Sequence, residues 1–274
     1  RVNRIDVKFL VCLGDLFKDV KNDIPAYRRL LIDKLKIPLF NAPGNHDLSG
    51  SVYEDNFGDT YYYFVHHSEL FIVLNTELKD GSILGEQLEL LKKALENSKS
   101  IKNIFIFTHR LIWAEDHPKM KQLFTDNTRS SSGNNFRDEI LPILNAYKDK
   151  NIFLMGGSLG NAPSPFFYHK EKNITYMATA IRDTPKDAFL YVDINNGKVT
   201  FSSFPLVMPI EHYNLDYYNN LQPKAPGFSW RLIPLYIKTM LTHRFFWYGT
   251  LLTCFSILFF ILIRKIRKGK RTKK

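Results

Sequence analysis

An amide, an imidazole and a carboxylate stand side by side at Asn45, His46 and Asp47, directly after Pro43-Gly44. The apolar run before them, residues 37–40, reads as a buried strand that Pro43 and Gly44 bring to an end. Two other apolar runs finish in the same manner. Residues 9–13 lead into Gly14-Asp15, and residues 104–107 lead into Thr108-His109. Carboxylate oxygen, amide oxygen and imidazole nitrogen are donors that suit divalent Zn, Mn and Fe. In an open α/β sheet ligands bind at the C-terminal ends of the strands, where Asp15, Asn45, His46 and His109 would meet. Taken alone, Asn45-His46-Asp47 reads equally well as an ordinary turn, because Asn, Gly and Asp are turn residues. Three such strand ends in order read as a site.

The set Gly14-Asp15, Gly44-Asn45-His46-Asp47 and His109 resembles the calcineurin-like metallophosphoesterase superfamily over roughly residues 5–205. That family carries Asp-x-His, Gly-Asp, Gly-Asn-His-Asp/Glu, a lone His and Gly-His-x-His in order, and three of the five are present. Residues 53–95 add an aromatic hairpin, a Leu74-Asn75-Thr76-Glu77 strand end and a Glu86-Gln87-Leu88 helix start. The resemblance implies a four-layer αββα sandwich. It also implies divalent ions (Mn, Fe or Zn), two of them roughly 3.5–4 Å apart in the family, and attack of an activated hydroxide on phosphorus. By the same resemblance Asp15 is the bridging ligand, and Asn45 and His109 bind the second metal. His46 then protonates the leaving oxygen or steadies the transition state, with Asp47 orienting its imidazole.

The chain departs from the family pattern twice. No Asp-x-His occurs in residues 1–14, where Asp6 is followed by Val7 and Lys8. The expectation is a chain that begins downstream of that strand, since a lost strand would leave a sheet edge open. At the other end, Gly157-Ser158-Leu159-Gly160 stands where Gly-His-x-His belongs. Ser158 offers a weak oxygen ligand; Asn161 and His169 are further substitutes, although His169 falls on the following hairpin. One or two ions per chain are therefore expected. Two functions stay open: a hydrolase of phosphoric esters, or an impaired binding or scaffold protein of the same fold.

The elements that position these residues follow from periodicity. Residues 24–35 read as a helix packed through Tyr27, Leu30, Leu31 and Leu35, and residues 85–97 as one packed through Leu88, Leu91 and Leu95. Residues 61–65 and 70–74 read as strands, with His66 and His67 in the turn between them. After His109 a long polar stretch runs to Asn135 and offers Arg110, His117, Asn134 and Asn135 as candidate substrate contacts. A helix over 136–147, a strand over 152–155 and a hairpin over 165–178 come next. Strands over 188–194 and 199–204, joined by Asn195-Asn196-Gly197, complete the sheet.

The formal charge of +11 belongs to one end of the chain. Nine of the 38 bases lie beyond residue 243, where there is no acid, which leaves 29 bases against 27 acids elsewhere. A nucleic-acid partner is therefore not expected. The two cysteines, Cys12 and Cys254, sit in apolar runs and imply no disulfide framework. The domain is expected to span 1–204, followed by a linker over 205–229 and an amphipathic juxtamembrane segment over 230–244. Residues 245–263 carry no charge, and at about 1.5 Å per residue they reach across roughly 30 Å of hydrocarbon. Eight bases fall in the eleven residues 264–274, so this tail belongs in the cytoplasm and the domain outside it. The expected partners are the membrane and a phosphorylated small molecule, glycan or lipid. Asn173-Ile174-Thr175 is a glycosylation sequon.

Overall fold

The computed structural model describes residues 2–115, 117, 120, 133–159, 166–181, 187–206, 230 and 233–271. The chain forms two compact units, Arg1–Ala225 and Pro226–Lys274.

The first unit is mixed α/β, built on a six-stranded sheet in the order β3-β4-β5-β6-β8-β7. Its central strands, β4 (Glu69–Val73), β5 (Asn103–Thr108), β6 (Asn151–Gly156) and β8 (Ile174–Thr179), run parallel. β3 (Tyr62–His66) and β7 (Phe166–Glu171) close the edges antiparallel. Alternate residues of the parallel strands serve opposite faces. Leu70, Ile72, Ile104 and Ile106 pack with Leu88, Leu91 and Leu95 of the helix Gly85–Glu96. Phe71, Phe105 and Phe153 line the other face as a stack, with centroids 5.0 and 4.8 Å apart. Burying each such ring contributes about 1.5–3 kcal/mol.

Two smaller sheets cover that aromatic face. β1 (Leu10–Cys12) pairs parallel with β2 (Leu39–Asn41) and lays Phe9, Val11 and Leu13 on it. β9 (Ala188–Asn195) and β10 (Lys198–Pro205) form a hairpin that adds Leu190, Val192 and Phe201. Asn196 and Gly197 turn that hairpin with φ of 51° and 73°, the left-handed pair that an Asn-Gly turn supplies. This sheet-on-sheet arrangement, with a helix outside, is the αββα plan.

Several boundaries differ from expectation. The first helix, α1, runs Val20–Leu30, and it packs through Val20 and Ile24 against Phe17. Leu30 and Leu31, expected to pack, are 63% and 39% exposed because they lie at and beyond the helix end. His66 ends β3 with its ring edge-on to Phe9, 5.6 Å away, and burial pushes its pKa down, aided by His67 and Lys8. The helix expected over 136–147 is a π-turn at Phe136–Ile140 running into Leu141–Asn145. Asn173 donates to the carbonyls of Tyr147 and Lys150 at 3.1 and 3.0 Å, so the sequon amide is already engaged inside the fold.

At the end of β7, Glu171 Oε1 lies 3.1 Å from Nε2 of both His117 and His169. Partial burial pushes the Glu171 carboxyl up, but the two imidazoles outweigh it and hold it below its ordinary value. A depressed carboxylate contributes stability above its unfolded pKa, and that contribution is lost as pH falls through the folded value. Glu171→Gln should therefore flatten the acid limb of a thermal-melting profile below about pH 5, while both proteins converge once Glu171 is protonated. Parallel acid limbs would refute this.

In the second unit a helix at Ile233–Thr242 is followed by a 28-residue helix at Arg244–Arg271. Its segment Arg244–Ile261 is long and apolar enough to cross a membrane, and none of it is buried within the protein. Thr250, Thr253 and Ser256 each donate to the carbonyl four residues back at 2.9 Å, which satisfies these three aliphatic hydroxyls internally.

Candidate metal centre

The loops after β1, β2 and β5 bring Asp15, the backbone of His46 and the ring of His109 together. The β1–β2 register pairs Cys12 with Asn41, so the two following loops leave the sheet side by side. Gly14 has φ +92°, and a Cβ there would run into the His109 ring and approach Gly44 N to 2.8 Å. A Cβ on Gly44 would likewise strike the Asp15 carboxylate. Only glycine lets these three loops close together. Asp15 itself is left-handed, with φ 54°, a conformation tolerated by Asp and concentrated at functional sites.

His109 is 3% exposed, and its Nδ1 lies 2.8 Å from the Leu13 carbonyl. A carbonyl only accepts, so Nδ1 carries the proton and Nε2 presents a lone pair. That Nε2 is buried, has no hydrogen-bond partner among the described residues and stands 3.5 Å from Asp15 Oδ2. Asp15 Oδ1 accepts from His46 N at 3.1 Å, which turns the carboxylate toward the same space. An imidazole tethered through Nδ1, with Nε2 opposite a carboxylate, is the arrangement that metal-binding histidines adopt. The site fits a divalent cation. Asn45 occupies the turn between Gly44 and His46 and is half-buried. Among the described residues, no three His, Cys, Asp or Glu side chains converge on one point.

Asp47 is fully buried, and its oxygens accept from Phe17 N at 3.0 Å, Gly44 N at 2.9 Å and the Asn41 amide at 3.2 Å. Burial pushes its carboxyl up against the pull of those donors. The geometry thus gives Asp47 a loop to hold, whereas the backbone carbonyl of Lys18, 2.9 Å from Nδ1, is what orients the His46 ring. Nearby Cys12 is inert, its thiol pushed up to about 12 by burial and by Asp47.

The other candidates are not all brought together. Arg110 is buried; its amide donates to Thr76 Oγ1 at 3.0 Å and its Nε lies 3.7 Å from Glu77, an internal pairing. His117 sits with Glu171, which pairs with Ile174 at the start of β8, the sheet end opposite to Thr108 and Gly156. Asn134 and Asn135 splice the chain into the following helix through Ile112, Phe136 and Ile83. His169 lies on β7, facing Glu171. Gly160 and Asn161 fall outside the described residues.

Ser158 does reach the site, through its backbone. Gly157 N and Ser158 N both donate to the His109 carbonyl, at 3.1 and 2.9 Å. Such main-chain partners, with the Leu13 and Lys18 carbonyls, carry no side-chain signature; only Gly14 and Gly157 hint at them. No curated protein matches the chain at a significant level. The family model described as calcineurin-like phosphoesterase matches residues 1–172, from the chain start through β7 and so including every strand end that builds this centre. With well over half its length matched, the chain belongs to the calcineurin-like phosphoesterase family.

Proposed function

We propose that this chain is a metal-dependent hydrolase of phosphoric esters that works outside the cytoplasm from a membrane anchor. The observation that carries the reading is His109 Nε2: buried, without a hydrogen-bond partner among the described residues, and 3.5 Å from Asp15 Oδ2. Asp15, Asn45 and His109 would hold the cation, which is Mn, Fe or Zn by the nature of the donors. When bound, the cation supplies Lewis acidity to the phosphoryl group and activates the attacking water. The chain's own part is to fix these donors and to place His46 beside them. With Nδ1 on the Lys18 carbonyl, His46 exchanges a proton with the leaving oxygen through Nε2. A phosphorylated small molecule, glycan or lipid is the substrate class. Chelation should abolish hydrolysis of an aryl phosphate, and Mn or Zn should restore it; activity that survives exhaustive chelation refutes the reading.

The segment Arg244–Ile261 serves as a single span, with the basic residues beyond it in the cytoplasm. Protease added to intact cells should then digest the domain and spare the tail. A domain digested only after lysis would reverse the orientation.

One observation favours a second reading, a binding or scaffold protein. β6 is followed by Gly157-Ser158-Leu159-Gly160, with no imidazole where the family places two. Unchanged, background-level hydrolysis with and without added metal would select it.

A further inference from the structure

The turn after β6 has lost the family's side-chain ligands, yet it is built into the site by its backbone. Gly157 N and Ser158 N grip the carbonyl of His109 from one side. On the other side the Leu13 carbonyl receives the proton of His109 Nδ1 at 2.8 Å. Gly157 touches both halves of this grip. A Cβ on Gly157 would overlap the Leu13 carbonyl oxygen and come within 2.6 Å of Leu13 Cβ. These atoms of Leu13 are backbone and the first side-chain carbon, which have no flexible end to swing away. The His109 ring has little other freedom, since Gly14 approaches it without a Cβ.

We infer that Gly157, with the paired amides of Gly157 and Ser158, is a positioning element that holds His109 in the Nδ1–H tautomer and aims Nε2 at Asp15. The inference rests on the metal-centre reading, and it assigns the turn a role that survives replacement of the imidazoles. Gly157 acts by letting the Leu13 carbonyl reach Nδ1. Ser158 acts by its N–H. Partners that fix a ligating histidine typically change metal affinity by about 10–100-fold when removed.

The test uses the full chain in lipid nanodiscs, labelled with 15N-histidine and stripped of metal. Two-bond proton–nitrogen correlations report which ring nitrogen of His109 carries the proton, with His109→Gln assigning the signal. Titration with Mn or Zn gives the affinity. The wild-type protein should show the Nδ1–H form. Gly157→Ala should mix the tautomers and weaken metal binding by about ten-fold or more. A folded Gly157→Ala variant with the wild-type tautomer and affinity would overturn the inference. Should that variant fail to fold, Ser158→Pro removes one amide donor from the His109 carbonyl, and the same two readouts decide. A tautomer shift in a protein that binds no metal would uphold the positioning role while sinking the metal-dependent hydrolase reading. An unshifted tautomer in a metal-binding enzyme would do the reverse.

Discussion

Asp15→Asn is expected to reduce phosphoesterase activity by about two orders of magnitude or more, the scale seen when one electrostatic stabiliser is removed. The substitution changes charge and almost nothing else. Asp15 holds φ 54°, and Asn is among the few residues that tolerate that left-handed region. The side-chain oxygen of Asn can still accept from His46 N, so the loop keeps its contact at 3.1 Å. What disappears is the negative charge 3.5 Å from His109 Nε2, where a dication would sit. Melting temperature in the metal-free state should therefore change little, while metal content falls. A variant that loses activity only in proportion to lost folding would deny Asp15 its place at the metal. Asp15→Ala is a poorer probe, because Ala at a positive φ adds backbone strain.

The second large effect concerns metal count. Asp15, Asn45 and His109 can hold one ion with solvent completing its coordination, and the described residues offer no third His, Cys, Asp or Glu. One ion polarises a phosphoryl oxygen, but it cannot also clamp the leaving oxygen as a pair does. Purified protein should contain no more than one tightly bound metal per chain and hydrolyse unactivated esters poorly. Ser158→His with Gly160→His should raise both metal content and rate. Ser158 N already lies 2.9 Å from the His109 carbonyl, so an imidazole at that position starts beside the site. Elemental analysis before and after the double substitution decides it. Two equivalents in the unaltered protein would mean that other side chains, such as Asn161, fill the ligand positions.

The strand-end motifs were readable because each pairs an unbroken apolar run with a polar terminus. That pattern depends only on local burial and on the glycine that ends it. The same logic placed the helix Gly85–Glu96, whose leucines recur at helical spacing, and the Asn196-Gly197 hairpin. It misjudged α1, because Leu30 and Leu31 fit the helical period but lie at and past the end of the helix.

Asp15, Asn45, His46, Asp47 and His109 were nameable from residue type and order alone, and so was a charge-free C-terminal segment with bases after it. Their roles were not. Asp47 reads as a partner of its neighbour His46, yet its carboxylate is drawn to the amides of Phe17 and Gly44, the donors that a buried carboxylate must find. Arg110 reads as a phosphate contact beside His109, but successive residues at a strand end point to opposite sides, and it pairs with Glu77 instead. His117 and His169 stand 52 residues apart in sequence and meet at Glu171 only because β7 folds back beside β8. The Leu13 and Lys18 carbonyls orient both histidines of the site through atoms that every residue possesses, and so nothing in the side-chain order could single them out. Residue chemistry determined which groups could bind a metal; only the crossing of three backbone loops decided that His109 turns Nε2 toward Asp15.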